Sequence, residues 1–349
     1  MSEARSEQTD VTLPSWKEVL STPPPRPAPL EEGPTAAREA RDRLLPNLVW
    51  EALLALAAAG LVLANLAAAP PQHLTNMFGS AAAAGLLAMG LSLSLRTATP
   101  NLAVGVIAGL TGGLTAYLMR EGWPDGVAIA AAVGAALVAG VLLGLLTMLL
   151  SVPGWALSLG AAAVLSAAYV ELIGPATIAV RLGEFPAVPA FVAFAALSMI
   201  GGAVWLIPGV RRALGGVRRD GEPGRYAGLR TGLGALVGFA GSSLLAGIAG
   251  LADLMRLQAA TSPAVQMVPM TALAAVLIGG VSVFGRRAGV FGTLLGVVVV
   301  VSAQTLFILS DWPSWTVQML AGGLVVLGLV VSRLIEGVND LLNKSRTPN

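Results

Sequence analysis

Ten long apolar runs, separated by short polar breaks, constrain this chain more than anything else in its sequence. A bilayer core of about 30 Å takes roughly 20 apolar residues per helix, and runs of that length fall near Leu48–Ala68, Met77–Leu95, Pro100–Leu118, Val127–Leu150, Trp155–Val170, Ala187–Val210, Leu233–Leu251, Val268–Phe284, Val290–Leu309 and Ser314–Val331. In lipid each backbone N–H and C=O must be satisfied within the protein, and helices do this segment by segment. The expected fold class is therefore all-α: a polytopic membrane protein of about ten transmembrane helices. Composition agrees. The chain is 55% hydrophobic and 11% charged, against about 25% charged residues in a soluble domain. Its 42 glycines suit helices that pack closely through small residues.

Charge gives the threading. With the N-terminus in the cytoplasm and the spans alternating, 18 of the 21 lysines and arginines fall on the inner side. Only Arg120, Arg181 and Arg256 fall outside. This is the bias that orients membrane helices, and it predicts that both termini are cytoplasmic. Trp123, Trp312 and Trp315 lie in or beside outer loops, and Trp50 and Trp155 near inner helix ends, where amphipathic rings prefer to sit.

Residues 1–46 differ from the rest. Eight prolines punctuate a polar stretch, which is expected to stay mostly disordered. Within it, Thr35–Leu45 is expected as a short basic helix on the membrane surface. Residues 47–336 form the transmembrane domain, and 337–349 a short cytoplasmic tail.

Ionisable groups inside the spans are almost lacking. Glu51 stands in the first turn of its span, from which it is expected to reach the interface. Proton-driven carriers use carboxylates or histidines near the midplane, so the pattern argues against one. Sodium sites built from backbone carbonyls stay open. The chain has no cysteine and one histidine, His73, expected in a solvated loop flanked by Pro70 and Pro71. Thiol catalysis, disulfides and a His-rich metal site are excluded, and nothing points to a resident cofactor. Neither lysine, Lys17 or Lys344, follows a glycine, so there is no P-loop. The net charge of +2 gives no case for a nucleic-acid partner.

Gly105 and Gly109, Gly140 and Gly144, and Gly292 and Gly296 each share a helix face and suit close helix packing. The longest inner connection, Val210–Arg230, holds Arg211, Arg212, Arg218, Arg219, Arg225 and Arg230. It reads either as a topology signal or as a docking element for a cytoplasmic partner. Ser92, Ser94, Asn101 and Gln304 are the polar side chains available to a transport pathway. Hydrogen bonding between helices is their other reading.

The last hundred residues carry a family pattern. Thr271–Gly296 holds the pair Ala274–Ala275, then Gly279, Gly280, Gly285, Gly289, Gly292, Thr293 and Gly296. The segment Phe239–Met255 with Gly238, the proline-containing Val152–Gly160, and Asn101–Gly105 add to it. These stretches resemble the ribose-type permeases of ABC importers over most of residues 47–336. At the third span Ala103 stands where the family has serine. The resemblance implies a permease subunit, present with a second copy or a related chain. A pair of cytoplasmic ABC ATPases would drive it, and an extracytoplasmic solute-binding protein would deliver substrate. It also implies that Val210–Arg230, with Tyr226 and Gly228, holds the element that docks the ATPase. Substrates would be monosaccharides or related small polar molecules. The branched-chain amino-acid and nucleoside permeases share part of the pattern. An ion-coupled carrier acting alone and a non-transporting role, as a membrane scaffold or an enzyme subunit, are the rival readings.

Overall fold

The computed structural model describes residues 34–174, 177–215, 229–260, 269–282 and 289–344. The chain divides into two units, Met1–Asp42 and Arg43–Asn349. Residues 1–33 lie outside the described residues, and helix begins at Pro34.

The second unit holds the membrane helices. In chain order the elements are α1 (Pro34–Ala68), α2 (Pro71–Arg96), α3 (Val104–Arg120), α4 (Asp125–Leu150), α5 (Gly154–Ile173) and β1 (Ile178–Ala179). Then come α6 (Ala187–Leu206), α7 (Pro208–Leu214), α8 (Leu229–Leu257), β2 (Ala259–Ala260), α9 (Met270–Ile278), α10 (Gly292–Leu309) and α11 (Ser314–Lys344). Prolines mark several of the starts: Pro71 opens α2, and Pro124, Pro153, Pro186 and Pro269 immediately precede α4, α5, α6 and α9. A missing N–H costs nothing at a helix start, where it would lack a helical partner anyway.

Eight of these helices are long and apolar enough to cross a membrane. The ten expected runs each find a helix, but two are short. The third, α3, has 17 residues, about 25 Å. The eighth corrects the expectation of a full span over Val268–Phe284. Only Met270–Ile278 is helical among its described residues, and nine residues reach about half the hydrocarbon thickness. The class is still a polytopic all-helical membrane protein. Its only departure among the described residues is a pair of two-residue strands, with Ile178 opposite Ala260 and Ala179 opposite Ala259.

Two helices form the centre. The α2 span is 61% buried and the α8 span 56%, against 17% for α6 and α11, whose surfaces are left for lipid. Glycines let neighbours close on α8. A Cβ on Gly140 would meet the Phe239 carbonyl and Ser243, and one on Gly144 would meet the Leu236 backbone. Without a hydrophobic drive between helices in lipid, such close approach supplies the dispersion contacts that hold them together. Phe194 and Phe239, both fully buried, fill the space around α2 and α8.

His73 is also corrected. It lies in the first turn of α2, not in a loop, and its Nε2 is buried without a hydrogen-bond partner.

Candidate functional site

Among the described residues, helix is interrupted within the packed bundle at 97–103 and at 279–282 with 289–291, and most of the described residues singled out from sequence gather there. Backbone of this kind is tolerated at membrane depth only where protein groups satisfy it.

The first break joins α2 to α3, over Thr97–Ala103. Helix α2 stops when Ala98 turns left-handed, at φ 55°. The Ala98 N–H then donates to the Leu95 carbonyl at 3.0 Å, and the Thr99 N–H to the Ser94 carbonyl at 2.8 Å. This pair of bonds is a Schellman end. Asn101 holds the chain that follows. Its Nδ2 donates to Ser242 Oγ at 2.8 Å and Ser243 Oγ at 3.2 Å, both on α8. Its Oδ1 accepts from the Ala103 N–H at 3.1 Å, and its own N–H donates to Ser94 Oγ at 3.2 Å. Ser158 of α5 accepts from the Leu102 N–H and donates to the Pro100 carbonyl. Asn101 and Ser94 are fully buried. Gly238 is required here, because a Cβ would strike the hydroxyls of Thr97 and Thr99.

The second break joins α9 to α10. Gly280, at φ 80°, ends α9. Its N–H donates to the Leu277 carbonyl at 3.0 Å and the Val281 N–H to the Val276 carbonyl at 3.2 Å, again a Schellman end. The two helices then pack antiparallel, backbone to backbone. A Cβ on Gly279 would meet the Gly292 carbonyl, one on Gly292 the Gly279 carbonyl, and one on Gly296 the Ala275 carbonyl. This close seam is what the glycines of the family pattern do. Charge completes it. Glu51 Oε1 of α1 accepts from the Phe291 and Gly292 N–H groups, each at 3.1 Å. Arg96 of α2 donates to the Gly289 carbonyl at 3.2 Å and to Ser92 Oγ at 3.1 Å. Thr293 Oγ1 donates to Ser92 Oγ at 3.3 Å. The Arg96 guanidinium stands 5.9 Å from the centre of the Trp205 ring. Glu51 is 8% and Arg96 6% exposed, which corrects the expectation that Glu51 reaches the interface. The positive end of the α10 dipole and two backbone donors make the burial of its carboxylate tolerable.

The family model described as the branched-chain amino acid transport system / permease component matches residues 73–329. The chain belongs to this family. Three similar proteins carry sugars in their names. The ribose import permease protein of Haemophilus influenzae is 35% identical over 103 residues, 30% of this chain and 32% of that one. The fructose import permease protein of Rhizobium meliloti is 32% identical over 98 residues, 28% of this chain and 27% of that one. The xylose transport system permease protein of Haemophilus influenzae is 30% identical over 108 residues, 31% of this chain and 29% of that one. The chain thus matches about three-tenths of the length of these relatives. No solved structure matches it. The resemblance to ribose-type ABC permeases is borne out at the level of the family, and the chain is a multi-pass protein of the bacterial inner membrane.

Within this permease, the two breaks unite Ser92, Ser94, Asn101, Gly279, Gly280, Gly289, Gly292, Thr293 and Gly296. Gln304 stands apart, where its Nε2 donates to Thr271 Oγ1 at 3.0 Å. Arg211 and Arg212 lie within the short helix α7. Arg218, Arg219, Arg225, Tyr226, Gly228 and Gly285 lie outside the described residues. Sequence reasoning missed Glu51, Arg96, Ser158, Ser242 and Ser243 as members of the breaks. A lone acid within a span was the available signal for Glu51. Among the described residues, no three His, Cys, Asp or Glu side chains stand together as metal ligands would.

Proposed function

We propose that this chain is the membrane-spanning permease subunit of an ABC importer that moves a monosaccharide inward. The observation that carries this reading is the combination of the family match over residues 73–329 with ribose, fructose and xylose permeases among the similar proteins. Without a P-loop the chain leaves ATP hydrolysis to a partner ATPase, and it catalyses no reaction itself. An extracytoplasmic solute-binding protein delivers the sugar, and a second permease copy or a related chain completes the pathway.

On this reading both termini are cytoplasmic, with residues 47–336 as the permease domain between tails 1–46 and 337–349. The ATPase docks on Val210–Arg230, through Arg211, Arg212, Arg218, Arg219 and Arg225. Ser92, Ser94 and Asn101 shape the breaks between helices instead of touching the sugar. Gln304, half-buried and among the described residues bonded to Thr271, is the member of that set left to face the pathway.

The family description favours a second reading, a branched-chain amino-acid permease. One assay separates them. The permease is reconstituted in vesicles with its ATPase and binding protein, and uptake of labelled ribose, xylose, fructose and leucine is compared. ATP-dependent sugar uptake is expected. Leucine uptake alone supports the second reading, and flux without the ATPase shows a carrier that acts alone.

A further inference from the structure

Helix α1 is mostly lipid-facing; 22% of its span is buried, against 61% for α2. Among the described residues, its polar ties to the rest of the permease are few and of one kind. Trp50 Nε1 donates to the Ile278 carbonyl at 2.7 Å. Glu51 accepts from the Phe291 and Gly292 N–H groups. Asn65 Nδ2 donates to the Ser302 carbonyl at 3.0 Å. All three address the backbone of α9, α10 or the turn between them. Between the pins, Leu54 and Ala58 pack on Ile278 and Val299. Glu51, Leu54, Ala58 and Asn65 recur at helical spacing and so share one stripe of α1.

A helix in lipid gains no hydrophobic energy by leaving lipid for protein, so polar pins decide how firmly a peripheral helix is held. Of the three, Glu51 alone is a carboxylate. It caps the first turn of α10, where the dipole favours an anion, and Arg96 of α2 holds the Gly289 carbonyl just ahead of that turn. A buried charge cannot be left half-bonded, since an unpartnered carboxylate at low dielectric costs too much. The contact is therefore either fully made or replaced by a different, wetter arrangement. Such a contact biases a two-state element. The non-helical turn Gly289–Phe291 beside it supplies backbone able to absorb a change in angle.

We infer that Glu51 is a latch, fastening α1 to the inner end of α10 in this state and releasing it during the transport cycle. The inference rests on the permease reading above. Its test uses the complex of permease, ATPase and binding protein in vesicles, with a labelled mixture of ribose, xylose and fructose. ATP hydrolysis is measured with and without binding protein, together with sugar moved per ATP. Glu51→Ala is expected to raise unstimulated hydrolysis at least threefold and lower sugar per ATP by a similar factor. Glu51→Gln keeps an acceptor oxygen without the charge and is expected to fall between Ala and wild type. Variants that melt earlier while their stimulation ratio stays at the wild-type value overturn the latch, as do variants with no change at all. If neither variant assembles, Leu54→Cys with Val299→Cys supplies the only thiols in a chain without cysteine. Oxidative cross-linking that blocks uptake, with recovery on reduction, supports release of α1. Full uptake by the cross-linked complex overturns it. A wild-type complex without binding-protein-stimulated hydrolysis sinks the permease reading first, and the latch with it.

Discussion

The two breaks solve one problem by different chemistry. Each ends a helix with the same pair of backbone bonds and needs partners for the chain that follows. At Thr97–Ala103 those partners are neutral: the Asn101 amide and the hydroxyls of Ser94, Ser158, Ser242 and Ser243. At Gly289–Gly292 they are charged, with Glu51 on the N–H groups and Arg96 on a carbonyl. Neutral hydrogen bonds of this sort tolerate small shifts and report on nothing outside themselves. A carboxylate and a guanidinium at opposite ends of one turn keep their energy only in one geometry. The first break ties α2, α3, α5 and α8 together through neutral groups alone. The second is a joint whose strength depends on where α1 and α2 stand.

Asn101 carries the largest expected difference between the two breaks. Leucine has a similar volume but no hydrogen bonds, and would orphan the Ala103 N–H and take from the Ser242 and Ser243 oxygens the donor they share. With several bonds worth about 1 kcal/mol each and a buried donor left without a partner, Asn101→Leu is expected to cost about 3 kcal/mol. Thermal unfolding of the purified permease in detergent checks this. In the importer complex proposed above, the loss is expected without change in the stimulation of ATP hydrolysis, since no charged pin of α1 takes part in this joint.

Gly292→Val probes the second joint by bulk alone. Its side chain would press on the Gly279 carbonyl across the α9–α10 seam. Overpacking of a tight contact costs about 2 kcal/mol. The same melting assay is expected to show that loss, while Gly60→Val, where a Cβ on Gly60 meets nothing within 4 Å, leaves the melting temperature close to wild type.

The ten helical segments were legible because apolar length and alternating charge are properties of a linear sequence. The half-length of α9 was less so. Val268–Phe284 is apolar throughout, and only the pair Gly279–Gly280 signals the end that the structure realises. The members of the breaks were partly legible. Asn101, Ser92, Ser94 and the seam glycines stood out as polar or small. Their partners did not, because Asn101 meets Ser242 across 141 positions and Glu51 meets Gly292 across 241. Which face of α1 meets which turn depends on helix rotation, which one sequence without its fold does not fix. Glu51 and Arg96 were thus read as interface and topology charges, although their bonds join three elements.

The smallest expected effect isolates the backbone from everything else. Both helix ends place one residue in the left-handed region: Gly280 at φ 80° and Ala98 at φ 55°. For an alanine that conformation costs about 1 kcal/mol, because Cβ crowds the following carbonyl, whereas glycine adopts it freely. Crossing the two residues should then give opposite signs. Gly280→Ala is expected to lower stability by about 1 kcal/mol. Ala98→Gly relieves the same crowding but adds freedom to the unfolded chain, so its gain should be about 0.5 kcal/mol. Melting of the two single variants and the double variant checks this. The ends share no partner, so their effects should add. Additivity would show that the joints differ in their side-chain partners alone; a coupled result would mean that α2, which contributes to both, carries strain from one break to the other.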